Sequence, residues 1–365
     1  MNDSRIKITF IIPSLRSGGA ERIMSYIPQE LDKKKFECNL IVIGYEKDKA
    51  YTVENISVTY LNKKRVLFAF PSIFYQIFKA KPDIVFSAIS HLNIMMGLQS
   101  ILFPKIKFIG REANVKSVVR DYSSLPKKRS LLSKLFSKVG YKYLDKIVCQ
   151  SNDMWNDLIV NHNFPKSKLV IINNPISNSL KKKLEIKPMD ENGFRLITVG
   201  RLVKQKGHVR ILDALSKLKL PYTYTMIGDG SEKERIMEHA KKLNIQNRIV
   251  HIGFTNKVFD HLEESHLFLQ GSYVEGFPNA LLESCAVGTP VIAYKAPGGI
   301  DEIINEGVNG FIAENVNDFT KKITDILNTI DNWKPSVVSQ SVYQKYSSES
   351  ILDKYESLFR DILQK

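Results

Sequence analysis

Short β-branched runs alternate along the chain with longer stretches of helical periodicity, and the two patterns predict strands and helices in turn. In the first half, the β-branched runs predict strands at residues 6–12, 38–43, 83–87, 107–110, 146–150 and 169–172. The clearest helical patterns in this half lie at residues 20–31 and 127–143. Strands that alternate with helices are typical of parallel βαβ units, so this half predicts a doubly wound α/β sheet.

The alternation starts again after residues 173–192, where Asn-Asn-Pro, a lysine run and a Pro/Gly turn are typical of a linker. Beyond it, strands are predicted at residues 195–199, 223–227, 249–252, 266–269 and 290–293, with helices at 208–218, 232–243 and 280–287. We therefore expect two doubly wound parallel-sheet (Rossmann-like) domains, at residues 1–180 and 181–345, joined near residue 185. A helical pattern at 343–363 has no strand after it, so we expect residues 346–365 to pack back on the first domain.

Composition and charge narrow the classes of protein. The 365 residues are 43% hydrophobic and 25% charged, which argues against disorder. The N-terminal apolar run does not resemble a signal peptide, no stretch has the length and apolarity of a membrane-spanning helix, and the three cysteines lack metal-ligand spacing. These features predict a cytoplasmic protein without a metal site.

The net charge of +15 is distributed unevenly, because residues 1–180 carry +14 and the window 101–150 alone carries +9. Such an excess predicts an anionic partner: nucleic acid, anionic lipid or a phosphorylated substrate. Nucleic acid is the least favoured of these, because the basic window has no interleaved aromatic platform and no nucleic-acid motif.

Ligands of open parallel sheets bind at the carboxyl ends of the strands, and two such loops carry suggestive residues. Gly18 and Gly19 stand where a helix begins, and free amide groups at a helix start suit a phosphate, although a tight structural turn explains them equally well. Arg201 and Lys206 follow the first strand of the second half. Together they suit a diphosphate, with two solvated surface cations as the alternative.

A third loop carries two carboxylates, Glu275 and Glu283, on either side of a predicted helix start. Pro278 suits the first turn of a helix, so Glu275 falls on the loop and Glu283 inside the helix, among apolar neighbours. Carboxylates accept hydrogen bonds from vicinal hydroxyls, and helix amide groups receive a phosphate. This pattern suits a ligand that has vicinal hydroxyls, as on a ribose or hexose, and a phosphate, with a surface helix residue as the alternative for Glu283.

The segments SGGAER, VGRLVKQKG, GDGSE, HIGF and EGFPNALLE together resemble the family 4 retaining glycosyltransferases of GT-B fold, of the bacterial polysaccharide or lipid-linked glycan type. The resemblance covers essentially the whole chain and is strongest in residues 195–315. It implies a hexosyltransferase-type enzyme that moves a sugar from a nucleotide diphosphate donor, most commonly a UDP-sugar, to a glycan hydroxyl with retention. In that fold an acceptor-binding and a donor-binding domain face each other across a cleft, and no cofactor is implied.

The resemblance also implies roles for the matching residues. Glu275 matches the carboxylate near the donor sugar, and Arg201 and Lys206 match the pair that holds the pyrophosphate, so these three are the expected catalytic residues. Glu283 matches the carboxylate that binds the ribose. The other donor-binding residues that the match implies are Gly18, Gly19, Phe254, Phe277, Pro278, Asn279, Ala280 and Leu281.

The chain departs from the family pattern on the acceptor side. Many members have a histidine just after the strand that corresponds to residues 107–110, where this chain has Arg111, Glu112 and Asn114. An arginine is not a base near neutral pH but suits an acceptor phosphate, and Glu112 suits a hydroxyl or pairs with Arg111. His91, after the preceding strand, is a further acceptor-side candidate, with a buried hydrogen-bonded histidine as the alternative.

Residues 126–143 have the pattern of a cationic amphipathic helix. Such a helix either packs its apolar stripe on the core or lies on an anionic membrane, where each cation contributes about 1 kcal/mol. Because lipid-linked acceptors lie at membranes, the resemblance favours docking and predicts a peripheral protein on the inner face of the cytoplasmic membrane. The predicted membrane-facing residues are Lys127, Lys128, Arg129, Lys134 and Lys138.

Two other functions are compatible with the sequence. A GT-B-fold UDP-sugar epimerase uses the same donor without an acceptor, so it converts the donor alone. A nucleotide-sugar-binding subunit without catalysis accounts for the missing histidine, and it binds the donor without transfer.

Overall fold

The computed structural model describes residues 5–122, 131–178, 180 and 182–364. The chain forms two compact units. The first comprises Met1–Ala113, Pro126–Pro175 and Glu349–Lys365, and the second comprises Asn114–Leu125 and Ile176–Ser348. The units therefore divide at Pro175 rather than at residue 180. The short segment Asn114–Leu125 also groups with the second unit, which no feature of the sequence indicates.

The first unit is built on seven parallel strands in the order β3-β2-β1-β4-β5-β6-β7. They are β1 (Ile6–Ile12), β2 (Phe36–Val42), β3 (Ser57–Tyr60), β4 (Ile84–Ala88), β5 (Lys107–Arg111), β6 (Lys146–Cys149) and β7 (Leu169–Ile171). The edge strand β3 was not predicted, because it is short and only half-buried, so its sequence lacks a clear apolar run. The central strands are buried along most of their length, as parallel sheets with helices on both faces require.

The helices of the first half are α1 (Gly19–Glu30), α2 (Phe70–Ala80), α3 (Ser90–Ser100), α4 (Lys116–Val119), α5 (Leu131–Lys142) and α6 (Asn152–Val160). Helices α3 and α5 pack backbone against backbone at two glycines. A Cβ on Gly97 would lie 1.8 Å from the carbonyl oxygen of Gly140, so neither helix tolerates a larger residue there. In the described part of the chain, no helix is long and apolar enough to cross a membrane.

The second unit is built on six parallel strands in the order β10-β9-β8-β11-β12-β13. They are β8 (Phe194–Val199), β9 (Tyr222–Ile227), β10 (Ile249–Ile252), β11 (Leu267–Gln270), β12 (Val291–Tyr294) and β13 (Gly310–Ala313). The helices are α7 (His208–Leu215), α8 (Lys233–Lys242), α9 (Val258–Glu264), α10 (Asn279–Val287), α11 (Ile300–Ile303), α12 (Val316–Asn328) and α13 (Pro335–Tyr346). The strand order reverses where β8 pairs with β11, so the loops that leave these two strands are neighbours at the ligand-binding edge.

The single helix predicted at 343–363 is two helices, because the chain turns at Ser347 between α13 and α14 (Ser348–Leu363). Helix α14 belongs to the first unit. The ring of Phe359 packs there against Phe10, Phe36 and Phe86, at centroid distances of 6.3, 6.1 and 5.6 Å. Burial of this aromatic cluster attaches the end of the chain to the first sheet. The predicted fold class, two parallel-sheet α/β domains, is confirmed.

Candidate functional site

The loops that leave β8 and β11 touch through two glycines. Gly207 follows the 3-10 helix Lys204–Lys206 with a φ of +60°, and a Cβ there would lie 1.8 Å from the carbonyl oxygen of Gly271. A Cβ on Gly271 would lie 2.6 Å from the carbonyl oxygen of Gly207. Because neither position has room for a side chain, the two backbones approach closely enough to bring Lys206 to Glu275.

Glu275 is the centre of a buried polar cluster. Its Oε1 atom accepts hydrogen bonds from Lys206 Nζ at 2.6 Å, Gln270 Nε2 at 2.7 Å and Ser272 Oγ at 2.5 Å. Its second oxygen, Oε2, accepts no hydrogen bond from the described residues. The side chain of Glu275 is 7% exposed and that of Lys206 is 22% exposed. The carboxylate is therefore held firmly through one oxygen, while the other is available to a ligand.

The backbone of Glu275 is fixed by a third loop, which follows β12. The amide of Glu275 donates to the carbonyl oxygen of Pro297 at 2.9 Å. Gly298 has a φ of +119°, and a Cβ there would lie 2.3 Å from the carbonyl oxygen of Glu275. Three loops of adjacent strands thus set the position of this carboxylate. Gln270, Ser272 and Gly298 were not predicted, although the first two lie directly after a predicted strand.

The two cations of the β8 loop have different surroundings. The side chain of Arg201 is exposed, whereas that of Lys206 lies on Glu275. The carbonyl oxygen of Arg201 lies 3.2 Å from Nε2 of the buried His208. Burial lowers the pKa of His208 to about 4, so its imidazole is neutral near pH 7 and supports this loop without adding charge.

A column of stacked side chains lies beside the β11 loop. The guanidinium of Arg210 lies between two rings, 4.1 Å from the centroid of Tyr273 and 4.2 Å from that of Tyr294. Tyr122 stacks on Tyr273 at 4.7 Å, and Phe319 stacks on Tyr294 at 4.2 Å. Cation–π and stacking contacts of this kind stabilise a fixed geometry of all five side chains.

Arg210 also holds the backbone of the β11 loop. Its Nε donates to the carbonyl oxygen of Gly271 at 2.7 Å, and its Nη2 donates to that of Ser272. Both carbonyl groups lie in the short segment between Gln270 and Glu275, and Ser272 itself donates to the Glu275 carboxylate. Arg210 is therefore a positioning residue that the sequence did not reveal, because an arginine within a helix has no distinctive pattern.

Helix α10 begins at Asn279, one residue before the predicted start, and Pro278 precedes the helix instead of lying in its first turn. Glu283 lies inside this helix and is 5% exposed, so it is not an ordinary surface residue. Phe277 is buried and packs edge-on against Tyr346, at a centroid distance of 5.3 Å. Its ring is thus a core contact. The segment offers a ligand its backbone amide groups and the half-buried Asn279 and Ala280, whereas the side chain of Leu281 is fully buried.

Phe254 follows Gly253 in the loop after β10, which is the edge strand of the second sheet. Its ring is 61% exposed. An exposed aromatic ring in a loop at the carboxyl edge of the sheet is a suitable surface for stacking a base.

The glycine loop of the first unit leads directly into α1. Gly18 is the residue before the helix, and Gly19 is its first residue. The amide of Gly18 donates to the hydroxyl of Tyr51 at 3.0 Å, and this hydroxyl donates to the carbonyl oxygen of Gly18 at 3.2 Å. Tyr51 therefore fixes the start of the helix, a contact that the sequence did not reveal.

Arg111 and Glu112, which were predicted as acceptor-side candidates, are both fully buried in the first unit. Arg111 donates from Nη2 to the side-chain oxygen of Asn174. The Oε1 atom of Glu112 accepts from Asn93 Nδ2 at 3.0 Å and from the hydroxyl of Tyr141 at 2.6 Å. Neither side chain exposes a charged group to solvent. Their burial therefore argues against direct contact with an acceptor.

Two other acceptor-side candidates are more accessible. His91 lies in the first turn of α3 and its side chain is exposed, which excludes the alternative of a buried histidine. Asn114 belongs to the second unit, where its Oδ1 accepts from Gln205 Nε2 at 3.3 Å. Gln205 also donates to the carbonyl oxygen of Val274 at 2.8 Å, so Asn114 is connected to the loop of Glu275.

Two of the five predicted membrane-facing residues lie within the described part of the chain. Lys127, Lys128 and Arg129 lie outside the described residues. Lys134 and Lys138 lie on α5, and the side chain of Lys138 is exposed. Among the described residues, no group of three His, Cys, Asp or Glu side chains has the arrangement of a metal site.

The two parallel sheets, with a buried carboxylate–lysine pair at the switch point of the second, define a doubly wound α/β protein with a candidate ligand site at the carboxyl ends of its strands. Residues 17–180 match the family model described as Glycosyltransferase Family 4, and residues 180–333 match the model described as Glycosyl transferases group 1. The chain belongs to this glycosyltransferase family. It is thus a glycosyltransferase, and the family resemblance of the sequence motifs is confirmed.

Individual relatives agree with this assignment. An uncharacterized glycosyltransferase of Haemophilus influenzae is 23% identical and aligns over 96% of this chain and 99% of its own. An enzyme of Campylobacter jejuni is 26% identical over 84% of this chain and 86% of its own. Its name is N-acetylgalactosamine-N,N'-diacetylbacillosaminyl-diphospho-undecaprenol 4-alpha-N-acetylgalactosaminyltransferase.

Solved structures show the same fold. HepE of Anabaena, in complex with UDP and glucose, has a TM-score of 0.79 and 16% identity over 98% of this chain and 100% of its own. The lipopolysaccharide outer core galactosyltransferase WaaB, in its apo form, has a TM-score of 0.75 and 18% identity over 98% and 99% of the two chains. The chain therefore has the GT-B fold of these glycosyltransferases.

Proposed function

We propose that the protein transfers a hexose-type sugar from a UDP-sugar to a hydroxyl of a lipid-linked glycan, with retention, in the assembly of a cell-surface polysaccharide. The observation that carries this proposal is the cluster in which Lys206, Gln270 and Ser272 hold one oxygen of Glu275 and leave the other open. A fixed carboxylate beside a lysine, at the switch point of a parallel sheet, suits a ligand that has both hydroxyl and phosphate groups.

The leaving group of this reaction is UDP, whose pyrophosphate gains negative charge as the bond to the sugar breaks. Lys206 donates one hydrogen to Glu275 and has further hydrogens for phosphate oxygens, and the exposed Arg201 offers its planar guanidinium. The amide groups at the start of α10, from Asn279 to Leu281, favour an anion at the same end of the helix. Stabilisation of charge where it develops is the main contribution of such groups to the rate.

The sugar and the nucleoside are assigned to the remaining residues. Oε2 of Glu275 accepts hydrogen bonds from hydroxyls of the donor sugar, and Glu283 binds the ribose. The exposed ring of Phe254 lies against the base. Gly18 and Gly19, at the start of α1, offer backbone amide groups to the donor from the first half of the chain.

Three observations support the choice of donor, acceptor and stereochemistry. HepE of Anabaena, which shares the fold, is described in complex with UDP-glucose. The Campylobacter relative has a diphospho-undecaprenol acceptor in its name. The motifs that this chain shares with its family resemble those of retaining members, so we assign retention here as well.

A lipid-linked acceptor requires the protein to work at a membrane, so we propose a peripheral location on the inner face of the cytoplasmic membrane. The exposed Lys138 and the basic residues Lys127, Lys128, Arg129 and Lys134 provide attraction to anionic lipid. Charge reversal of these five residues should weaken binding to vesicles that contain phosphatidylglycerol. Equal binding of the variant and the wild type would contradict this location.

The reaction itself is tested with purified protein, a panel of UDP-sugars with GDP-mannose, and undecaprenyl-diphosphate-linked sugars as acceptors. We expect one UDP-sugar to raise the melting temperature in proportion to the logarithm of its concentration and to be consumed only when an acceptor is present. The anomeric proton coupling of the product should equal that of the donor sugar. Conversion of donor without acceptor, or an inverted product, would refute the proposal.

A further inference from the structure

The first unit exposes an apolar surface on α2 and on the 3-10 helix Val66–Ala69 that precedes it. The exposed side chains are Leu67 (74%), Phe68 (63%), Tyr75 (59%) and Phe78 (60%). We call these four residues the α2 apolar face. Phe68, Tyr75 and Phe78 recur at helical spacing on the solvent side.

The opposite side of α2 is apolar as well. Ile73 and Ile77 have no exposed surface, because they pack in the core of the first unit. A helix that only covers a core has polar residues on its outer side, where water is the neighbour. The outer side of α2 is therefore built to contact something other than water.

A second segment extends this surface. Ile101 and Leu102, directly after α3, are 50% and 55% exposed. They are connected to α2 through Phe103, whose ring lies 4.9 Å from that of Phe74, and through Gln99, which donates to the carbonyl oxygen of Phe70 at 2.7 Å. The exposed apolar groups of α2 and of the α3 end thus lie in one region of the first unit.

The charge along this part of the chain has a single sign. No Asp or Glu occurs in residues 55–82, and the uncharged run 66–78 has cations at both ends. Lys64 and Arg65 precede it, Lys79 and Lys81 follow it, and all four side chains are exposed. The nearest carboxylate along the chain, that of Asp83, accepts a hydrogen bond from the amide of Lys7 at 2.8 Å.

We propose that the α2 apolar face is a membrane-docking surface, which inserts its aromatic side chains among the lipids of an anionic bilayer while the flanking cations contact the headgroups. Apolar residues on one side with cations at the boundary are the pattern of helices that lie in a membrane interface. A partner protein of opposite charge would equally satisfy the cations, but it would not explain three exposed aromatic side chains with no charged residue between them.

This inference rests on the membrane location proposed above and assigns the inserted surface to α2 rather than to the basic residues 127–138. The two groups have different tasks. Lysines on α5 attract the protein to an anionic surface and are screened by salt, whereas the α2 apolar face retains it through burial of apolar area.

The test compares the wild type with the triple variant F68S/Y75S/F78S, in co-sedimentation with vesicles of phosphatidylglycerol and phosphatidylcholine in equal amounts. We expect the triple variant to bind at least about tenfold more weakly, with a loss that persists at high salt. Val160→Ser is the matched control, because Val160 is 74% exposed on α6 of the same unit and has no role in the proposal. Its binding should equal that of the wild type.

Insertion has a second readout that does not depend on the triple variant. The single variant Phe78→Trp should show a blue-shifted emission and quenching by brominated lipid in these vesicles, whereas Val160→Trp should show neither. Unchanged vesicle binding of the triple variant, or no quenching of Phe78→Trp, would refute the α2 assignment even if the wild type binds vesicles. A wild-type dimer that the triple substitution converts to a monomer would refute it too, because the face would then be an interface between copies.

Failure of the wild type to bind any vesicle would overturn both this inference and the membrane location. The transfer reaction is measured separately, with a short-chain soluble acceptor and no vesicles. Its outcome decides the proposed activity independently of membrane binding.

Discussion

Lys206 Nζ lies 2.6 Å from Glu275 Oε1, and the two residues come from loops that leave neighbouring strands of the second sheet. The pair is possible because Gly207 and Gly271 allow the two loops to touch. Gln270 and Ser272 donate to the same oxygen, so the lysine is not the only group that holds the carboxylate. Lys206 can therefore donate hydrogen bonds to a phosphate while Gln270 and Ser272 keep Glu275 in place.

Replacement of Lys206 tests the leaving-group assignment. We expect Lys206→Ala to lower kcat/KM for the UDP-sugar by on the order of a hundredfold or more, because a preorganised cation at the departing pyrophosphate is lost. Lys204→Ala is the matched control, since Lys204 lies exposed on the same 3-10 helix and should keep normal turnover. Turnover of Lys206→Ala within a few-fold of the wild type would contradict the assignment.

Replacement of Glu275 separates the sugar from the nucleotide. The variant Glu275→Gln keeps the shape and one acceptor oxygen but loses the charge that faces the sugar hydroxyls. We expect its Kd for UDP, which has no sugar, to stay within a few-fold of the wild type, while transfer from the UDP-sugar falls by about a hundredfold. Calorimetry with UDP and a steady-state transfer assay measure the two quantities. An equal loss of both would show that Glu275 supports the nucleotide or the fold instead.

The stacked column around Arg210 gives a third prediction. Arg210→Lys removes the planar group between Tyr273 and Tyr294 and one of the two donors to the β11 loop. Because lysine does not reproduce this geometry, we expect a melting temperature lower by a few degrees and a kcat lower by about tenfold, with a smaller change in KM.

A second arginine provides the control for that experiment. Arg248 lies over the ring of Tyr222 at 4.9 Å, in the segment before β10, and this contact is to β9 instead of to the β11 loop. Arg248→Lys loses a comparable cation–π contact, so it should lower the melting temperature without lowering kcat. If both variants lose turnover equally, Arg210 acts through general stability rather than through the position of the loop.

The sequence predicted the sheets better than it predicted the site. Strand-forming runs buried on both faces, such as that of β1, leave a strong pattern because parallel strands between helices must be apolar. The half-buried β3 leaves none. The tail pattern at 343–363 was continuous across Ser347, so one helix was predicted where two occur.

At the site, the sequence motifs identified the residues within each short motif. They did not identify the residues elsewhere in the chain that hold those side chains in position. Glu275 and Lys206 were predicted from spacing and from the family resemblance. Their positions depend on Arg210 and on the contact between Gly207 and Gly271, and such contacts between distant segments have no local signature. The burial of a charged side chain was not predictable from the local sequence either. Nothing in the sequence around Arg111 indicated that its side chain is fully buried.

Glu112 gives a prediction about stability rather than chemistry. Its carboxylate accepts hydrogen bonds from Ser90, Asn93 and Tyr141, so Glu112→Ala should lower the free energy of unfolding by about 3 kcal/mol, because buried donors lose their acceptor. Glu112→Gln should keep the fold and turn over within about tenfold of the wild type. A fully folded Glu112→Gln without activity would restore the acceptor-side role that burial disfavours.

Two buried histidines of the second unit predict a loss of stability in mild acid. Burial lowers the pKa of His208 and of His266 to about 4 in each case. For His266 the cause is visible in the contacts, because Nδ1 accepts from the amide of Arg195 at 2.9 Å while Nε2 donates to the carbonyl oxygen of Lys187 at 2.7 Å. A proton on Nδ1 would replace the first of these hydrogen bonds with a clash between two donors.

The direction of the effect follows from proton linkage. Between about pH 6.5 and pH 4 the unfolded chain binds protons on these histidines and the folded chain does not. Their contribution to stability is therefore complete above about pH 6.5 and is lost as the pH falls toward 4, with a slope of up to about 1.4 kcal/mol per pH unit for each histidine.

Urea unfolding, followed by the emission of Trp333 with Trp155 replaced by Phe, reports on the second unit. The variants His208→Asn and His266→Asn should each flatten this slope, whereas His261→Asn, at a half-buried position on α9, should not. Slopes that are the same in all three variants would show that other groups, such as carboxylates, cause the acid sensitivity.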